Sequence, residues 1–204
     1  MSEFKFPTEE VDLPSKGLIY PKDNPLSSGK VEVKYMTAKE EDILSNQSYI
    51  QKGIVLDKLL RSVIINKDIN TDDLIVGDKN ALLISTRILG YGKDYDIVVK
   101  GQDYTLDMST LDHREIIESD YESGKNEFHF ETPSTGTRLT YQLSTGRLEK
   151  QIDKEIAGLK KLNKEVSTEL TTRLKYLITS VDGSSEKKDI REFVDNRLLA
   201  RDSR

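Results

Sequence analysis

Along residues 147–178 (RLEKQIDKEIAGLKKLNKEVSTELTTRLKYLI), apolar side chains recur at Leu148, Ile152, Ile156, Leu159, Leu162, Val166, Leu170, Leu174 and Leu177. Steps of three and four give the α-helical repeat, so all nine share one stripe opposite Lys, Glu, Asp and Thr. A continuous helix here would run roughly 48 Å at about 1.5 Å per residue. Gly158 costs about 1 kcal/mol relative to Ala in a helix interior, and Ser167-Thr168 and Thr171-Thr172 have modest helix propensity. A kink or a division into two helices would fall at these points. The stripe has two uses, packing on its own domain or forming a seam for a partner or a second copy. The seam would centre on Leu159, Leu162, Val166 and Leu170.

The rest of the pattern is shorter-ranged. Residues 31–36 (VEVKYM) alternate as a half-buried strand. Thr37 and Glu40 form a capping box for a short helix through Ile43 and Leu44. A turn is expected over 48–53, a second helix over about 54–65, and a third, capped by Asp78, ending at Gly90-Tyr91-Gly92. Two hairpins follow. The first pairs 95–100 with 104–108 around Gly101-Gln102-Asp103; the second pairs 127–131 (EFHFE) with 138–143 (RLTYQL) around Pro133–Gly136. Each needs company to be stable. Ser144 is the expected cap of a long helix over about 145–179, ended by Gly183. Ser185 would cap a last amphipathic helix over about 186–201. The predicted class is α+β: N-terminal helices with small antiparallel hairpins, then a long amphipathic helix and a C-terminal helix. The predicted division is 1–30, 31–146 and 147–204.

Residues 1–30 hold four of the five prolines. X-Pro pairs disfavour helix, so this stretch reads as an extended arm with turns. It either lies over its own domain or reaches a neighbour, with Ile19 and Tyr20 as its sticky residues.

Charge is distributed unevenly. The chain has 31 Lys+Arg against 36 Asp+Glu, and residues 147–204 have 14 against 11, leaving an acidic front of −8 and a rear of +3. No overall basic field exists to hold nucleic acid. Cysteine is absent, which excludes disulfides and thiolate metal sites and suits a reducing cytoplasm. No apolar run is long enough for a membrane span, and the N-terminus does not read as a signal peptide.

Chemistry-bearing constellations are sparse. His129 shares a strand face with Glu127 and Glu131, a metal half-site by donor type but far more often a solvated strand face. His113 has no second histidine at ligand spacing. Gly90-Tyr91-Gly92-Lys93 follows a helix, the wrong order for a phosphate loop. The expectation is a protein without enzymatic activity, cofactor, metal or small-molecule substrate. A metal-dependent enzyme built on His129, Glu127 and Glu131 is the competing reading from another class.

Several phrases, in order, carry a resemblance: LPSKGLIYP, NPLSSGKVEVKYMTAKEEDIL, LLISTRILGYGKDYDI, ETPSTGTRLTYQLSTGRLEKQI, ITSVDG and FVDNRLLARDSR. Together they resemble the baseplate hub assembly proteins of T-even-type contractile-tailed bacteriophages. The resemblance implies a viral assembly factor in the host cytoplasm, acting with other baseplate hub proteins. It would serve either as a chaperone that leaves or as a subunit retained in the virion baseplate. The family pattern also carries zinc-ribbon CxxC pairs, one in the hairpin after the GYGK-like phrase. Residues 98–108 (VVKGQDYTLDM) contain no Cys, so zinc does not carry over. The expected partner-facing residues are Ile19, Tyr20, Leu159, Leu162, Val166 and Leu170.

Overall fold

The Pro-rich opening stretch folds onto its own domain. Its start, Thr8–Asp12 (β1), pairs antiparallel with Lys30–Lys34 (β2), a strand partner the sequence pattern did not reveal. The computed structural model describes residues 7–113, 116–162 and 168–203. Between the two strands the chain makes a tight loop in which Gly17 and Gly29 cross. Both have positive φ, and a Cβ on Gly17 would lie 2.6 Å from the Gly29 nitrogen and the Ser27 carbonyl oxygen. Only glycine fits such an approach.

The loop's apolar residues complete a core. Leu13, Ile19, Tyr20 and Leu26 pack with Val31 and Val33 of β2 and with Leu59, Leu60 and Val63 from helix Val55–Val63 (α3). Leu74, Ile75 and Leu82 close the cluster, the last from helix Val76–Tyr91 (α4). The capping box appears as expected at Ala38–Leu44 (α1): Glu40 accepts from the Thr37 N–H at 2.9 Å. A short helix, Gln47–Gln51 (α2), replaces the expected turn, its first turn capped by Asn46.

Asp78 does not cap α4. The helix starts two residues earlier, leaving Asp78 in its first turn, where a carboxylate suits the helix dipole. Its side chain faces inward and serves the loop instead. It accepts from the Ser15 N–H at 3.0 Å, the Ser15 hydroxyl at 2.6 Å and the Tyr20 hydroxyl at 2.7 Å. Tyr20 in turn accepts from the Ile75 N–H at 3.1 Å. Burial, then the Asp78 charge, push the Tyr20 phenol far up, so it stays a donor.

The predicted hairpins are present with shifted edges. Asp94–Val99 (β3) pairs with Gln102–Asp107 (β4). Its turn is the two-residue Lys100-Gly101, with φ of 51° and 79°, rather than 101–103. Positive φ at both central positions is the turn geometry that matches strand twist. Phe128–Glu131 (β5) pairs with Arg138–Tyr141 (β6), and a third strand, Ile178–Val181 (β7), joins on the far side of β6.

That third strand corrects the long-helix expectation. The stripe divides into Gly146–Leu162 (α5) and Glu169–Leu177 (α6), and the predicted helix end over 178–181 is β7. On one straight helix Glu149 and Arg173 would sit about 36 Å apart. They form a 2.7 Å ion pair, and the Tyr176 hydroxyl donates to Glu155 at 2.6 Å, so α6 folds back on α5. β-branched Ile178, Thr179 and Val181 favour the pleated, half-buried edge of a sheet over another helical turn. Capping differs as well. Thr145, not Ser144, accepts from the Leu148 N–H, and the final helix is only Lys187–Glu192 (α7) before a π turn over Phe193–Arg197. Ser185 does not cap α7; Ser184 donates to Asp189 in its first turn.

A second core gathers Leu139, Ile178, Val181, Ile190, Phe193 and Val194. The architecture is therefore α+β, with several helices and small antiparallel sheets. Ion pairs form a polar seam between α5 and the segments holding Asp57 and Asp72-Asp73. Lys150 of α5 pairs with Asp57 at 2.8 Å and Asp72 at 2.7 Å, and Arg147 with Asp73 at 2.6 Å.

Candidate interaction surface

The β3–β4 hairpin is a two-stranded sheet with no third strand among the described residues. Its side chains sort cleanly by register. Tyr95, Ile97 and Val99 on β3 lie opposite Leu106, Tyr104 and Gln102 on β4, making one face almost wholly apolar. The other face carries Asp94, Asp96 and Val98 against Asp107, Thr105 and Asp103. Tyr95, Val99 and Tyr104 are exposed despite their apolar character, and Val98 is 69 % exposed. With Tyr91 before the hairpin and Leu111 after it, exposed large apolar side chains concentrate over residues 91–111. Scattered exposed apolar residues are ordinary; a contiguous set marks a contact site.

The hairpin root is held firmly. Arg87 donates to the Gly92 carbonyl at 2.9 Å and the Asp94 carbonyl at 3.4 Å, while its guanidinium lies over the Tyr91 and Tyr95 rings. Tyr91 donates to Glu41 at 2.6 Å, tying the end of α4 to α1. Across the root, Lys93 pairs with Asp107 at 2.6 Å. That bond and the donors of Ser109 hold the Asp107 carboxyl down at about 2. Beside the root, a groove of about 380 Å³ runs along α4, lined by Ala81, Ile84, Ile88, Met108 and Leu111.

The residues expected to face a partner divide. Ile19 and Tyr20 are 3 % and 5 % exposed; they belong to the chain's own core, where a partner does not reach them. Leu170 is 52 % exposed on α6, and Leu159 is half-buried on α5. Val166 and the Leu162 side chain lie outside the described residues. In the sequence, Tyr95, Ile97, Val99, Tyr104 and Leu106 alternate along the two arms of the hairpin. The signal for a contact face was present in that alternation, set in a hairpin flanked by polar links with no third strand in sight.

Chemistry is thin elsewhere. His129 is exposed on β5, and its neighbour Phe128 stacks on Tyr141. Among the described residues no group of three or more His, Cys, Asp or Glu is arranged to hold a metal ion. No described helix is long and apolar enough to cross a membrane. Comparisons with protein-family models, curated proteins and solved structures return no match.

Proposed function

We propose that this chain is a non-enzymatic assembly factor of a contractile-tailed bacteriophage, working in the host cytoplasm. It holds a baseplate hub protein while the central hub of the tail is built. The observation that carries this reading is the exposed apolar face of the β3–β4 hairpin on a firmly anchored root. Apolar surface kept in water on a rigid mount is useful to a protein whose partner covers it. The ordered phrases that resemble baseplate hub assembly proteins supply the identity of the partner class.

Co-expression with phage hub proteins followed by size-exclusion chromatography tests the reading. The expected result is a co-eluting complex that Tyr104→Glu weakens at least tenfold while the circular dichroism spectrum stays unchanged. Absence of any complex with every hub protein sinks it. Protein analysis of purified virions separates the two variants of this role. A chaperone is missing from the particle, and a hub subunit is present in stoichiometric amount. The Leu170 face of α6 is a second contact candidate, and Leu170→Asp tests it in the same assay.

A further inference from the structure

The free edge of the hairpin says how a partner is held. The two-residue turn makes Val99 and Gln102 the closing hydrogen-bonded pair, and bonded pairs then alternate down the ladder. The Met108 N–H donating to the Lys93 carbonyl at 2.8 Å fits that alternation. On β3 the backbone groups of Asp94, Asp96 and Val98 therefore point away from β4. Arg87 takes the Asp94 carbonyl, which leaves Asp96 and Val98 each presenting an N–H and a C=O on an edge that no strand among the described residues pairs. Such an edge is a template for another strand.

We infer that the β3 edge takes an extended segment of a partner protein by strand addition, one in which apolar and basic residues alternate. Alternate side chains of an added strand fall on opposite faces. One set would lie beside Tyr95, Ile97 and Val99 and be apolar. The other would lie on the face of Asp94, Asp96 and Val98, and within the roughly 5 Å spacing of cross-strand neighbours the two carboxylates, of which Asp96 also accepts from the Thr105 hydroxyl at 2.7 Å, favour Lys or Arg. The β4 edge is the poorer template. It offers Gln102 in place of an apolar residue, its Asp107 charge is already matched by Lys93, and the Asp107 carbonyl is taken by Thr110. A second copy of the chain is disfavoured by size. The hairpin face measures on the order of 200 Å², so two copies bury far less than the roughly 1,200 Å² of a stable dimer. The inference rests on the holding role proposed above, and names the chemistry of what is held.

The probe is a capped octapeptide of alternating lysine and valine, titrated into the full-length chain by NMR. Its block isomer, four valines then four lysines, is the control for simple charge attraction. The alternating peptide is expected to bind at least tenfold more tightly than the isomer and to protect the Asp96 and Val98 amides from exchange. Val98→Pro removes an outward N–H, a position where proline is tolerated in an edge strand, and should weaken binding at least tenfold. Thr105→Pro, at an outward-facing position of β4 opposite Asp96, should leave binding unchanged. Equal binding of the two peptides, no binding, or loss in Thr105→Pro alone would each overturn the inference. So would a chain that dimerises in sedimentation and becomes monomeric in Val98→Pro. The two proposals fail separately. A hub complex that survives Val98→Pro removes strand addition and keeps the assembly role; peptide binding without any hub complex does the reverse.

Discussion

Two buried carboxylates show how much a single residue decides here. Asp78 receives three donors from the N-terminal loop. Removing it strands the Ser15 N–H, the Ser15 hydroxyl and the Tyr20 hydroxyl, at about 1–3 kcal/mol for each buried donor left unpaired. Asp78→Ala should lower stability by about 3 kcal/mol or more in urea denaturation, with Leu13 and Ile19 losing exchange protection first. Glu40 is the pH-sensitive counterpart. Burial alone would raise its carboxyl, but the hydrogen bonds from Lys34, Ser62 and Thr37 outweigh burial and hold it at about 2. A folded value below the unfolded one means Glu40 stabilises the fold above about pH 4.5, and that contribution fades as pH falls towards 2. Glu40→Gln should be less stable by about 2–3 kcal/mol at pH 7 and show a flatter stability profile between pH 5 and 2. The capping-box role of Glu40 was legible from Thr37-Ala38-Lys39-Glu40. Its contact with Ser62, and every contact of Asp78, join residues distant in the chain.

Among the elements, the hairpin is the one whose stability is most local. No third strand joins it among the described residues, and two strands alone are marginal in water. Gly101, at φ 79°, carries the turn. Gly101→Ala should cost about 1 kcal/mol locally, read as faster amide exchange over residues 94–107 with little change in the melting temperature of the whole chain. The helical stripe teaches the opposite lesson. Its 3.6 period correctly marks Ile152 and Ile156 as buried positions, yet period alone does not fix how far one helix runs. Arg173 and Tyr176 find Glu149 and Glu155 only because α6 folds back. Ile178 and Val181 fit either the end of a helical stripe or a strand, and β6 decides between them by offering an edge.

At the scale of the whole molecule, backbone hydrogen bonds and ion pairs together tie the start of α5 to the N-terminal half: the Val76 N–H donates to the Ser144 carbonyl at 2.9 Å, the Gly146 N–H to the Leu74 carbonyl at 2.9 Å, and Lys150 pairs with Asp57 and Asp72. Lys150 sits at the centre of the polar seam. Burial pulls its pKa down, but the Asp57 and Asp72 bonds win and raise it, while both carboxyls are held low. Lys150→Ala leaves Asp57 with Lys79 and Asp72 with Arg61, and the Lys150 side chain is partly screened by water, so the loss should be about 1 kcal/mol or less. Lys150→Met, which keeps the aliphatic stem, should lose nearly as much in urea denaturation. A much smaller loss would mean that packing of the stem, not the charge, is what Lys150 contributes.

Local pattern by itself determined most of the helices, both predicted hairpins, the α1 capping box and the apolar alternation of β3 and β4. Those features depend on neighbours within a few residues, where period, turn chemistry and capping act directly. Tertiary structure alone decided that the N-terminal arm is core, that β1 pairs with β2, that the stripe divides and that β7 completes a sheet. It also decided that no described element covers the hairpin's apolar face. Each of these turns on which surface finds a partner across long stretches of chain, and that competition for burial leaves no short-range mark.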